Sequence, residues 1–317
     1  MSILAIVHPT NLLGKELRET VGRDRSSLPW TEVRLLSTLA PEIGTLTEVG
    51  GAAALVQRLE PDSLEGVAAA FFCGPAAANR PLLQDLPDGL TAVILSPDAT
   101  PEDGTPVVAG INDHAAVAGQ VLLSPHPAVV LLAHLLHPLA GFELEEAVAT
   151  VVQPASLFDD SGIEELFEQS RQIIAMTQRR RPAVFGAQLA FNLLPASPPY
   201  DAIATALAAV LPVSPRRPAI AVQIVQGAVF HCLAVSLHLR CGGDPKLPAL
   251  HRALGGSPYL EAASDPRHLG PIAVAASDKI LLGSVRRDDQ GFWLWAVMDN
   301  LTRGGALNAL EVAVAAR

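Results

Sequence analysis

Cys73, Cys232 and Cys241 are the residues of this chain best suited to covalent chemistry, yet none has the sequence surroundings of a nucleophile. A reactive thiol needs a base within hydrogen-bond reach and an electropositive setting that lowers its pKa. Cys73 closes the apolar run Phe71-Phe72-Cys73-Gly74, and Cys232 follows His231 in a segment that reads as a strand, where neighbours point to opposite faces. All three read as inert core thiols, and their odd number and wide spacing fit reduced cysteines better than a disulfide frame. Ser124 and His126 stand in the turn Ser124-Pro125-His126-Pro127 between the two halves of the chain. That location suits chemistry, but the turn reads first as a rigid interdomain connection. The nine histidines include no HExxH and no i, i+4 pair backed by a carboxylate, so no metal site is expected. His134 and His137, on an apolar helix, read as packing or surface residues.

Dinucleotide binding would be a second chemistry. It needs glycine at the turn after a first strand, so that backbone N–H groups and a helix N-terminus can meet a pyrophosphate. The turn here is His8-Pro9-Thr10-Asn11-Leu12-Leu13-Gly14, and only Gly14 is a glycine. Pro9 removes one donor, and the side chains of His8 and Asn11 take space that phosphates would need. Thr10, Asn11, Leu13 and Gly14 are the residues left to hold such a cofactor.

The elements around these residues follow from hydrophobic periodicity. Ser2 to Val7 is an apolar run and Leu12 to Val21 carries apolar positions at helical spacing, which predicts strand, loop, helix. Strands are expected again over Glu32 to Leu36, Val67 to Phe72 and Thr91 to Leu95, with a helix over Ala76 to Gln84. This alternation predicts an α/β, doubly wound Rossmann-type domain with a parallel sheet covered on both faces. Pro97 to Pro106 reads as a surface loop near the strand ends. Beyond Pro125 the spacing predicts a helix over Ala128 to Leu136, a strand over Glu146 to Gln153 and a helix over Gly162 to Arg179. Further strands are expected over Ala219 to Val225, Val229 to Leu239, Ile272 to Ala276, Ile280 to Val285 and Phe292 to Val297. Trp293 and Trp295 share one alternating face of the last. Strands with few helices between them predict an α+β domain with a mixed or antiparallel sheet. A final helix is expected over Leu301 to Ala316.

Composition bounds the function classes. With 317 residues, 50% apolar and 17% charged, the chain can build two sizeable cores, which excludes disorder as its dominant state. Its mean hydropathy is positive, +0.32. The most apolar stretch, Ala128 to Phe142, is nevertheless interrupted by His134, His137 and Pro138 and is too short to span a bilayer. Met1 to Val7 lacks a basic leader and a cleavage site, so no membrane association and a cytoplasmic location are expected. The net charge of −10 argues against nucleic acid as a partner. The one basic run, Arg179-Arg180-Arg181, lacks aromatic neighbours and reads as a solvated helix end.

Several segments together resemble the aspartate-semialdehyde dehydrogenase family, and more closely its Usg-like branch, whose members lack the usual catalytic residues. Asp299-Asn300-Leu301-Thr302-Arg303-Gly304-Gly305-Ala306-Leu307-Asn308-Ala309 is similar to the family's D-N-L-x-x-G-A-A-x-N-A. Gln188 to Pro195 resembles F-N-x-x-P, Val107 to Asn112 resembles V-P-E-V-N, and Ser2 to Leu17 resembles a worn G-A-T-G-x-V-G loop. The resemblance runs over nearly the whole chain. It implies an NAD(P)-binding-like domain from residues 1–127 with a returning helix at 300–317, and a substrate and dimerisation domain from residues 128–299. A homodimer built on the second domain's sheet, and NADP as cofactor, are implied with it.

The same resemblance maps the family's functional positions. Counting back from His137-Pro138-Leu139, the nucleophilic cysteine falls on Pro127. The acid/base histidine falls on Leu233, with His231 two positions before it on the same expected strand face. The arginine that binds the substrate carboxylate becomes Gln226, while the substrate-orienting glutamine is matched by Gln153 in Val152-Gln153-Pro154-Ala155-Ser156. The helix aligned with the family's phosphate-binding lysine, Tyr200 to Leu211, contains no Lys or Arg. Two readings stay open at this point. The chain is a catalytically degenerate homologue that works through contacts with another protein or through a small ligand. Alternatively it is an NADP-dependent aspartate-semialdehyde dehydrogenase, or a related oxidoreductase of amino-acid biosynthesis, with a rearranged site.

Overall fold

The structure, a computed structural model, describes residues 2–24, 26–177, 181–196, 200–212, 218–243 and 245–317. Two of the three arginines of the basic run, Arg179 and Arg180, lie outside the described residues. The chain forms two compact units, one of Met1–Val130, Thr205–Leu211 and Gly304–Arg317, the other of Leu131–Ala204 and Pro212–Arg303.

In the first unit, strands β1 (Ile3–Val7) and β2 (Glu32–Ser37) are followed by a separate hairpin of β3 (Leu46–Val49) and β4 (Ala52–Leu55). The chain then adds β5 (Gln57–Arg58), β6 (Val67–Phe72), β7 (Thr91–Ile94), β8 (Thr105–Pro106) and β9 (Val121–Leu123). Apart from the hairpin they make one seven-stranded sheet in the order β5-β2-β1-β6-β7-β9-β8. Every pairing in it is parallel. The continuous apolar character of β1 and β6 follows from burial on both faces, and Ile6, Val7, Phe71 and Phe72 are fully buried. Helix α1 (Leu12–Arg23) follows β1 and the short α2 (Ala76–Asn79) follows β6. The helix expected over Ala76 to Gln84 instead tightens into a 3-10 turn at Arg80–Leu83, because Pro81 supplies no N–H to an α-helical ladder.

Helix α3 (Pro127–Leu136) begins in this unit. In the second unit come β10 (Leu144–Gln153), α4 (Asp159–Ile174), β11 (Leu193–Pro195), β12 (Ala219–Gly227), β13 (Leu233–Cys241), α6 (Leu247–Gly255), β14 (Leu260–Ala262), β15 (Ile280–Arg287) and β16 (Phe292–Met298). Between β11 and β12 lies α5 (Tyr200–Val210), whose two halves fall in different units. The second sheet has the order β11-β12-β10-β13-β16-β15-β14. It is mixed, since β10 runs parallel to β12 and β14 to β15 while the other pairs are antiparallel. Ala147, Ala149, Val151 and Gln153 of β10 are buried, and the alternate residues Val148, Thr150 and Val152 form the opposite face, as a half-covered strand requires.

Some expected elements end differently. The strand expected over Val229 to Leu239 starts only at Leu233, because Cys232 has the left-handed backbone angle φ 73° and breaks the ladder. Ile272 to Ala276 is not a strand. Pro271 opens a 3-10 turn through Val274, and Ala276 has φ 60°. The helix expected over Gly162 to Arg179 runs from Asp159 to Ile174 and stops before Met176, at φ 53°. The last expected helix is a π-helical turn over Thr302–Leu307 continued by α7 (Asn308–Ala315). No helix among the described residues is long and apolar enough to cross a membrane.

Candidate functional site

In the first unit the candidate residues gather beyond the carboxyl ends of β1, β2 and β6, the place where an open α/β sheet binds ligands. Asn11 caps α1. Its carboxamide oxygen accepts from Gly14 N at 2.7 Å while its amide donates to the main-chain oxygen of Cys73. Gly14 is required by contact, since a Cβ there would lie 2.6 Å from the carbonyl carbon of Pro9. Leu13 is buried beside it. Thr10 Oγ1 donates to Glu42 Oε1 at 2.5 Å. His8 is buried in a left-handed conformation at φ 58°, with Nδ1 3.1 Å from Ser37 Oγ and 3.7 Å from Glu42 Oε2. Burial works to raise the Glu42 carboxyl, but the Thr10 hydroxyl bond, with His8 and Ser37 close by, holds it below its usual range. Such a turn has its helix-end N–H already capped and a carboxylate already bound, so it presents a pyrophosphate with far fewer donors than a glycine turn does. Four residues, Thr38 to Pro41, separate Glu42 from β2, so no local pattern in the sequence marks it.

Ser124 and His126 do not form a pair. Ser124 Oγ accepts from Asn308 Nδ2 at 2.9 Å, and Asn308 also bonds Ala109 N and the Val107 oxygen. His126 Nδ1 accepts from Ala128 N at 3.1 Å and so caps α3, with Pro127 as the first helical residue. Burial pushes the His126 imidazole down to about 4, so it is neutral near pH 7. Proline at this position brings no nucleophile to the helix end.

In the second unit Gln153 and Gln226 are brought together, as their parallel register requires: Gln153 Nε2 donates to Gln226 Oε1 at 2.9 Å. Leu233 is fully buried at the start of β13. His231 is exposed and precedes the strand, so the left-handed turn at Cys232 removes the face it was expected to share with position 233. Cys232 lies under the motif around Asp299. Its N–H donates to Asn300 Oδ1 at 2.9 Å and its thiol approaches Asp299 Oδ2 at 3.8 Å. Asp299 also accepts from Ala276, Leu301 and Thr302 N–H groups, which caps the π-helical turn. The motif that carries the sequence resemblance is thus spent on internal hydrogen bonds.

All three thiols are held protonated. Burial first, then the Glu42 charge, pushes Cys73 up; burial and Asp299 do the same to Cys232, and burial and Glu145 to Cys241. Of the packing and surface readings of His134 the structure bears out packing, since it is fully buried in a cluster that its sequence neighbours do not mark. Its ring stacks on Tyr259 at 4.2 Å, and the Arg303 guanidinium lies 5.1 Å from the same Tyr259 ring. Burial, Arg303 and His137 push His134 down to about 3. No group of His, Cys, Asp and Glu suited to a metal ion occurs among the described residues.

Neither a protein-family model nor a curated protein matches the chain. Solved structures do. The chain is similar over 99% of its length to a probable aspartate-semialdehyde dehydrogenase from Pseudomonas aeruginosa, with TM-score 0.89, 24% identity and 97% of that chain covered. It is similar over 99% of its length to aspartate semialdehyde dehydrogenase II from Vibrio cholerae complexed with ASA, with TM-score 0.84, 20% identity and 98% of that chain covered. The Candida albicans enzyme with NADP gives TM-score 0.72 at 14% identity, with 99% of this chain and 98% of that one covered. The two-domain fold of these dehydrogenases is therefore the fold of this chain.

Proposed function

We propose that this protein is an aspartate-semialdehyde dehydrogenase homologue of the Usg-like kind, one that does not perform the covalent dehydrogenation and acts instead by binding a protein or a small ligand. The observation that carries the reading is the absence of any thiol placed to ionise. Pro127 opens α3 where the resemblance puts the nucleophile, and the existing cysteines are raised by burial and by neighbouring carboxylates. Removing a nucleophile and its base costs several orders of magnitude in rate. Leu233, in the histidine position, brings no proton acceptor, and Gln226 in the arginine position offers a substrate carboxylate an amide already bonded to Gln153. The NADP of the resemblance is not expected in the usual pose, because Asn11 takes the Gly14 N–H that a phosphate would use.

A second copy is the expected partner. In register across the second sheet, Ala221, Val148, His238, Trp293 and Arg286 form one row on its outer face. Val148 remains 41% exposed there and the Trp293 ring half-buried. An apolar and aromatic row of this kind fits the centre of a homodimer interface.

The test pairs turnover with thiol chemistry. Purified protein is assayed for NADP+ reduction with aspartate semialdehyde and phosphate, then titrated with a disulfide reagent in the native and the denatured state. The expected result is turnover equal to the buffer blank and native protection of Cys73 and Cys232. Turnover that iodoacetamide abolishes overturns the reading.

A further inference from the structure

The turn from His8 to Gly14 contains an anion of the protein's own. Glu42 is 8% exposed, its Oε1 accepts from Thr10 Oγ1, and its Oε2 lies 3.7 Å from the His8 ring. The His8 ring covers the opposite side. A Cβ on Gly74 would meet His8 Cδ2 at 2.5 Å, so the imidazole fills the space over the loop that follows β6. Behind it Asn79 donates to the Gly74 oxygen at 2.8 Å and to Ser96 Oγ at 2.9 Å. His8 Nε2 and Asn79 Oδ1, both on residues 1% exposed, face this packed crevice without a hydrogen-bond partner. Arg18 of α1 does not offset the Glu42 charge at the turn, because its guanidinium is committed to the Pro9 oxygen, Thr47 Oγ1 and the Glu48 oxygen.

We infer that Glu42 is a resident occupant of the anion position at the first strand-to-helix turn, and that its carboxylate and the His8 ring together exclude phosphate-bearing nucleotides from the crevice. The physical reason is like-charge repulsion in a site with little water. A phosphate on the Thr10 hydroxyl would sit within about 5 Å of the carboxylate, which at the effective dielectric of a partly buried site weakens binding on the order of a hundredfold. The His8 ring adds a steric barrier where a glycine turn leaves open space. The inference rests on the loop reading given above but not on the fate of the thiols.

The experiment is calorimetric titration of the full chain with inorganic phosphate, ADP and NADP+. Wild type is compared with Glu42→Gln and with the double variant His8→Gly/Glu42→Gln, and adenosine serves as the uncharged control. Glu42→Gln keeps the volume and can still accept from Thr10, and circular dichroism and the melting temperature establish that each variant is folded. Wild type is expected to give no saturable heat with ADP at millimolar concentration. Glu42→Gln should gain at least tenfold for ADP, the double variant should gain more, and adenosine should be unchanged. Tight ADP or NADP+ binding by wild type that Glu42→Gln weakens overturns the inference, and so does failure of every folded variant to bind. ADP binding by wild type without turnover removes this inference and the loop reading it rests on but leaves the lack of covalent chemistry standing, whereas turnover removes the proposed function.

Discussion

Gln153 and Gln226 satisfy one another across adjacent parallel strands. The Gln153 side-chain amide donates to Gln226 Oε1 at 2.9 Å, and the Gln226 amide donates to the main-chain oxygens of Gln153 and Gly227, each at 3.2 Å. Both residues are less than a tenth exposed. A pair closed in this way satisfies its own buried polar groups.

The closure predicts a non-additive stability pattern. Gln226→Leu or Gln153→Leu alone leaves a buried amide without its partner and should cost about 1–3 kcal/mol. The double variant should cost less than the sum, because no orphaned side-chain amide remains. Urea unfolding of the three variants measures the coupling, and strictly additive losses would sink the idea.

Asn300 makes a larger claim on stability. Fully buried, it accepts from Cys232 N and shares two hydrogen-bond contacts with Ser156 Oγ. Asn300→Ala should cost about 3 kcal/mol, through an orphaned Cys232 N–H at a residue with positive φ and through the lost volume. Asn300→Asp keeps the acceptor and should recover part of that loss. An Asn300→Ala midpoint in urea equal to wild type contradicts the assignment.

How far these features could be read in the sequence depended on whether the determining contact was local. β1, β6 and β7 are continuous apolar runs, and α1 starts at an Asn cap, so pattern and turn chemistry identify them. The mixed sheet was legible from strand crowding after residue 219. The break at Cys232 was not, since its left-handed backbone is held by Asn300, sixty-eight residues away. Ile272 to Ala276 has strand-like composition, yet Pro271 and the bond from Ala276 N to Asp299 turn it aside. At the candidate site the structure shows where Pro127, Gln226 and Leu233 stand, at the start of α3, in β12 and at the start of β13, and those places follow from the local pattern of the sequence. The places of Glu42 and of the stack of His134 on Tyr259 do not, because each depends on contacts between residues far apart in the chain.

The row on the outer face of the second sheet predicts the oligomeric state. Val148 pairs in register with His238, and His238 with Trp293. Val148→Asp places a carboxylate in the middle of this row, where an interface would have to desolvate it. Sedimentation of wild type should give a dimer and of Val148→Asp a monomer, with folding unaffected because the position is 41% exposed in the single chain. A variant that remains dimeric puts the interface elsewhere.

His134 sets a direction for acid sensitivity. Its imidazole is fully buried against Tyr259, with Arg303 and His137 near enough to disfavour a second positive charge, and it stays neutral down to about 3. In the unfolded chain the same side chain takes its proton near its ordinary value of about 6.5. Between these two values the unfolded state binds a proton that the folded state refuses, so stability is complete above about pH 6.5 and falls as the pH drops, by up to about 1.4 kcal/mol per pH unit. His126, pushed down to about 4, contributes with the same sign over a narrower window. His134→Phe keeps a ring on Tyr259 and has no proton to bind. Urea midpoints measured from pH 7.5 to 4.5 should therefore fall less steeply for the variant than for wild type, by about one proton's worth of slope. Parallel profiles would mean that the buried histidine is not what makes the fold acid-labile.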